Sequence, residues 1–279
     1  MGNLFSVNGR ALVSKVVFSG ELGRDIERAV TAIGGFGRLV KPGDTIMVKP
    51  NFNTADPPPG SSDPEFVGAV VKLLYAQGAE RVILGESSTL GLSARKTLEQ
   101  AGMLSIARDA GIEVELFDEG EWVTVETGGS YLKKVGLAKA AIEAEKIVYV
   151  GCLKTHFLAD FTMSLKLAMG FVRHRDRLGM HARNLREKLA DLNLAIGPDL
   201  IILDGRRAFI SGGPSKGELR EPGLVLASGD RIALDVEALK IIQGYKDHNL
   251  KAGPWDLPLI KRAVELGLGA RSEEEYEVV

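Results

Sequence analysis

The chain has 279 residues, 26% of them charged and 45% hydrophobic, with a formal net charge of −2. This composition belongs to a folded globular protein able to bury a sizeable core, and it excludes a disordered, fibrous or globally basic nucleic-acid-binding chain. The single cysteine, Cys152, excludes an intramolecular disulfide framework and a cluster held by several of the chain's own thiolates.

Short β-branched runs alternate with longer amphipathic segments. Residues 11–18 read as a strand and 21–33 as a helix stopped by Gly34 and Gly35. Residues 45–48 form a buried strand leading into Lys49, Asn51 and a proline-rich loop over 56–63. Asp63 caps the next helix, with Pro64 in its first position and Phe66 and Val70 facing inward. A strand at 81–84 follows, then helical pieces at 93–100 and 104–110 and a strand at 112–117. A hairpin is expected from 122–126 and 131–135 around Gly128 and Gly129, then a helix over 137–144 and a buried strand over 146–150. Beyond it, 160–169 can continue as a helix and 183–195 reads as one. A strand at 200–203, a strand at 224–227, helices from Asp230 to about 242 and over 257–266, and an edge strand in the acidic tail complete the chain.

Strand, helix, strand in series predicts an α/β fold: a mixed, mostly parallel sheet flanked by helices on both faces. The expected unit is one domain over 1–279, with lobes at 1–135 and 136–279 left open by the interposed hairpin. The N-terminus lacks a basic stretch followed by a long apolar run, and the longest apolar runs are too short to span a bilayer. A cytoplasmic protein without a membrane partner is expected.

In open α/β sheets ligands bind beyond the carboxyl ends of the strands. Four apolar strands here finish in polar or ionisable residues: Lys49 and Asn51; Glu86, Ser87 and Ser88; Cys152, Lys154 and His156; Asp204 and Gly205. If these strands are parallel neighbours, their ends share one rim. The richest segment runs from Lys154 through His156, Thr162 and Lys166 to His181 and holds three of the four histidines. A lysine at a buried strand end can hold a carboxylate or phosphate, or act as a base if desolvated. A histidine titrates near neutral pH and suits general acid/base work. Arg173, Arg175, Arg177 and Arg183 would add positive field from the periphery, although such a run is more simply a solvated helix end. Gly212 and Gly213 lie in a glycine-rich loop that could aim backbone N–H groups at an anion, with a plain turn as the simpler reading. The histidine spacings match no compact metal motif, and a divalent ion would draw on Asp204 or Glu86.

At these residues the sequence resembles the domain of unknown function 362 family. The matching pieces are Val48-Lys49-Pro50-Asn51-Phe52, Gly85-Glu86-Ser87, and Lys154-Thr155-His156 with Thr162, Lys166 and Gly170. Asn193, Asp204-Gly205, Gly212-Gly213-Pro214, Asp230, Asp235 and Gly267-Leu268-Gly269 continue it. Members commonly carry ferredoxin-like iron–sulfur segments; the multi-cysteine motif is missing here, so no intrinsic iron–sulfur cluster is expected. Where the family pattern has Asn after the second lysine, this chain has Leu167. A more distant likeness to the lactate racemase family implies, at fold level, a site of lysine and histidines around a nickel cofactor.

These readings converge on an enzyme for a small anionic metabolite, a carboxylate or phosphate, with its reaction class open. His156, Lys154 and Lys166 are the candidate catalytic residues; Lys49, Asn51, Glu86, Thr162, Gly212 and Gly213 are the candidate binding residues, and Asp204 the candidate metal ligand. The alternative is a non-catalytic anion-binding or electron-transfer-associated module working with a partner protein; a homodimer or a redox partner protein is left open for either reading. The basic stretch at 173–183 has only Phe171 nearby for stacking, which disfavours nucleic acid.

Overall fold

The computed structural model describes residues 2–279. In chain order its elements are β1 (Ser6–Val7), β2 (Arg10–Val17), α1 (Leu22–Ala32), β3 (Thr45–Lys49), α2 (Pro64–Ala76) and β4 (Arg81–Glu86). Next come α3 (Ala94–Gln100), α4 (Met103–Asp109), β5 (Glu113–Leu116), β6 (Trp122–Glu126), β7 (Lys134–Ala138), α5 (Lys139–Glu143) and β8 (Ile147–His156). The second half holds β9 (Asp160–Thr162), α6 (Ser164–Leu167), α7 (His174–Ala182), α8 (Leu185–Leu192), β10 (Leu200–Gly212) and β11 (Gly217–Arg220). β12 (Leu224–Ser228), α9 (Arg231–Gln243), α10 (Pro258–Glu265) and β13 (Tyr276–Val278) complete it.

The central sheet runs β1-β2-β12-β10-β8-β3-β4-β5, so strands from both halves of the chain interleave. The five from β10 to β5 are parallel, while β12 and β2 join antiparallel. Helices cover both faces because the strands are apolar on both. Ile46, Val48, Val148, Val150, Leu200 and Ile202 pack in one core with α1 to α4. Met47, Ile147, Tyr149, Ile201 and Leu203 point the other way, into the core with α5 to α10. The four strands whose ends carry the candidate residues, β10, β8, β3 and β4, are consecutive in this parallel block.

Three of the differences from the sequence expectation shape the site. β8 runs to His156 instead of ending at 150, because β9 folds back on it and pairs Lys154 with Thr162 and His156 with Asp160. The stretch 160–169 is therefore strand, then a short helix. Asp235 on α9 accepts the N–H groups of Ser164 and Leu165 at 2.8 and 2.9 Å, which fixes where α6 begins. The helix expected over 183–195 is shortened to α8 and is separated from α7 by Asn184, which sits in the left-handed region at φ 52°.

Candidate functional site

The loops after β3 and β4, together with β8, β9, α6 and α7, enclose a cavity of about 40 Å³. At roughly 10–15 Å³ per water, it holds about three waters or a ligand of similar bulk. Lys49, Lys154, Lys166 and Arg177 line it against one carboxylate, Glu86.

Three of the four cations are committed to protein acceptors. Lys49 Nζ donates to Glu86 Oε1 at 2.5 Å and to the Pro50 carbonyl at 2.6 Å, and both side chains of this pair are fully buried. Glu86 also accepts the N–H groups of Phe52 and Ser87, each at 2.8 Å. Burial lowers the Lys49 pKa, and Glu86 opposes that shift. Gly170 makes room for this lysine, since a Cβ there would come within 2.4 Å of Lys49 Cε. Lys154 Nζ donates to Asn51 Oδ1 at 2.9 Å and the Gly60 carbonyl at 2.6 Å, and burial again lowers its pKa. Arg177 donates to the carbonyls of Val172, Ser88 and Gly170 and to the Ser87 hydroxyl. Burial brings its guanidinium down to about 10.

Lys166 is different. It projects from α6 and is half-buried, and among the described residues its Nζ has neither a hydrogen-bond acceptor nor a carboxylate. Burial first, then the charges of Lys154 and Arg177, push its pKa down to about 7. Thr162 lines the same cavity; its hydroxyl is buried and has no partner. The cavity thus presents an amine and a hydroxyl, both uncommitted, within a cationic wall.

The remaining candidates sit elsewhere. His156 is buried at the end of β8 but is not part of the cavity wall. Its Nδ1 accepts the N–H groups of Leu158 and Ala159 at 3.0 and 3.3 Å and so closes the turn into β9. Burial, then Lys166, Lys154, His181 and Arg186, hold its pKa at about 2, so the ring stays neutral. Gly212 and Gly213 turn the β10–β11 hairpin at φ 77° and 63°, and the Gly213 N–H donates to the Lys216 carbonyl at 2.7 Å. The next residues, Pro214 and Ser215, are the ones that reach the cavity. Asp204 lines a separate cavity of about 430 Å³, where both its oxygens accept from Arg206. Among the described residues no group of three or more His, Cys, Asp or Glu side chains is arranged to hold a metal ion. No described histidine lines the lysine cavity, so the residues there do not fit a nickel centre held by lysine and histidines.

The model of the family described as Domain of unknown function (DUF362) matches residues 46–240. The chain belongs to this family. A thylakoid-associated protein of Synechocystis is 31% identical over 264 residues, which cover 92% of this chain and 78% of that one. Two solved structures align more loosely. A lactate racemase apoprotein from Thermoanaerobacterium thermosaccharolyticum gives a TM-score of 0.48 at 11% identity, covering 81% of this chain and 55% of that one. A protein from Thermotoga maritima gives 0.44 at 10% identity, covering 88% and 58%. The chain spans little more than half the length of either.

The DUF362 match contains every residue of the cavity wall. It also contains Arg177, which the sequence reading leaves at the periphery. The only local signal for Arg177 is its place on the buried face of α7 with Met180, three residues on. Asp235 acts on the site from a distance, holding the first turn of the helix that carries Lys166.

Proposed function

We propose that this DUF362 protein binds a small carboxylate or phosphate in the cavity between Lys49 and Arg177 and acts on it as an enzyme, with Lys166 as the proton-transferring group. The observation that carries the reading is the imbalance of the wall: four cations face one carboxylate, and that carboxylate is already committed to Lys49. A bound anion would supply the counter-charge that Lys154 and Arg177 lack, with the Lys166 amine and the Thr162 hydroxyl lining the same cavity. Lys154 and Arg177, solvated by neutral acceptors, keep their charge available to the ligand. Lys166 replaces His156 as acid/base in this reading, because the His156 acceptor is used by backbone and its ring is held neutral. A non-catalytic anion module needs the same cations but gives no reason for an uncommitted amine.

No described helix is long and apolar enough to cross a membrane. Residence in the cytoplasm belongs to the same proposal, and cell fractionation checks it against the thylakoid association of the Synechocystis relative.

Thermal unfolding in sulfate, phosphate or acetate, each compared with chloride at matched ionic strength, tests the site. A ligand at one hundred times its Kd stabilises by about 2.7 kcal/mol. Sulfate and phosphate also stabilise proteins by exclusion from the surface, so Lys154→Met and Lys166→Met are run in parallel. The expected result is stabilisation of the wild type beyond that of either variant. Equal stabilisation of all three proteins sinks the proposal.

A further inference from the structure

We infer that Lys166 is a nucleophile that condenses with the carbonyl group of a small 2-oxo carboxylate held in this cavity. The inference rests on the anion-site reading above and names the substrate class for it; the proton that Lys166 transfers is then the one its nitrogen gives up on adding to the carbonyl.

A site for a simple anion needs only charge. This one offers two groups of different chemistry that the protein leaves free, the Lys166 amine and the buried Thr162 hydroxyl. The other cations have acceptors that hold them in place, so they suit anchoring a carboxylate and not attack. Lys154 and Arg177 lie close enough to repel an ammonium at Lys166, and with burial they hold its pKa near 7. A large share of the side chain is then neutral amine at neutral pH, the form that adds to a carbonyl. Phe52, Leu167 and Met169 complete the wall with apolar surface. Size selects further. Room for about three waters favours the smallest 2-oxo acids.

In the step, the Lys166 nitrogen lone pair forms a C–N bond to the carbonyl carbon while the C=O π pair moves to oxygen, which takes a proton. The carbinolamine then loses that oxygen as water after a second protonation. The nitrogen gives up one of its two original protons, leaving a protonated imine. The net change is amine, carbonyl and one proton to iminium and water, with no oxidant or reductant. The Thr162 hydroxyl, which lines the same cavity, would donate to the departing oxygen, and the carboxylate of the acid would stay against Lys154 and Arg177.

The test uses the full chain with pyruvate or glyoxylate and borohydride, which reduces an imine to a stable amine; adducts are counted by intact mass and located by peptide mapping. One adduct per chain at Lys166 is expected, suppressed by sulfate and reduced in Lys166→Arg to the level of surface lysines. Thr162→Val, with its folding checked by urea unfolding, is expected to slow adduct formation by about a hundredfold. Adducts spread evenly over surface lysines, or an unchanged yield in Lys166→Arg, overturn the inference. Absence of a Lys166 adduct with sulfate binding intact overturns the nucleophile and leaves the anion site standing. Absence of both removes both.

Discussion

Replacing Lys166 with methionine should stabilise the ligand-free protein, and the size of the gain should depend on pH. Lys166 has a folded pKa of about 7 against an ordinary value of 10.5. Between those values the unfolded chain binds more protons than the folded one, so stability rises with pH across that window. At about 1.36 kcal/mol per unit, the penalty is at most on the order of 4 kcal/mol near pH 7 and roughly half that by pH 9. The side chain is only half-buried, and solvent screening makes the true figure smaller. Methionine keeps a similar length and apolar stem without the charge. Lys49 and Lys154 are shifted in the same direction and contribute to the same slope, so the informative quantity is the difference between wild type and variant. Urea unfolding at pH 7 and pH 9 should show Lys166→Met as the more stable protein at pH 7, with the gap closing by about 1–2 kcal/mol at pH 9. Parallel pH profiles, or a variant less stable at both pH values, would refute the reasoning.

Removing one member of the buried Lys49–Glu86 pair leaves the other charge uncompensated, so Glu86→Ala should cost about 3–5 kcal/mol. Lys49→Met combined with Glu86→Leu should cost less than the sum of its single changes, and a double-mutant cycle by urea unfolding that shows simple additivity would contradict the pair. His156→Asn keeps an acceptor for the turn at Leu158 and Ala159. It should retain anion-dependent stabilisation within about twofold and show no step in its pH profile near the ordinary histidine value of ~6.5; loss of the anion response would return His156 to the site.

The parallel block was legible because β-branched runs such as 45–48 and 200–203 are apolar on both faces, and only a sheet covered on both sides buries such runs. Asp63 and Asp230 were legible as helix caps because capping is a local interaction, and each accepts N–H groups at the start of its helix. The site was harder to see where distant chain decides local form. Residues 151–156 are too polar to read as buried strand, yet Thr155 and Lys154 are buried there because Phe209, Asn51 and Gly60 supply acceptors from elsewhere. The stretch 160–169 has helical spacing, but β9 gains ladder bonds with β8 and Asp235, far along the chain, decides that the helix starts at Ser164. Arg177 looked like a solvated helix end for the same reason: the three carbonyls that bury it belong to residues 88, 170 and 172, and their convergence is a tertiary fact.

The choice of acceptors in the cavity explains how a chain of net charge −2 can carry a local positive field. A carboxylate neutralises the lysine it binds, whereas a carbonyl or amide oxygen solvates the cation and leaves its charge intact. Glu86 is spent on Lys49, while Lys154 and Arg177 are held almost entirely by neutral oxygens. Burial lowers the pKa of Lys154 and Arg177, but no carboxylate neutralises them, and their charges act on Lys166, the one cation among the described wall residues with no acceptor of its own. Apolar residues of similar volume would pack this space more stably. The fold tolerates the cost at a position that Asp235 fixes through two hydrogen bonds to the first turn of α6. A charge-rich cavity with one free amine is costly in a structural core, and that cost is the ground on which the proposed ligand site stands.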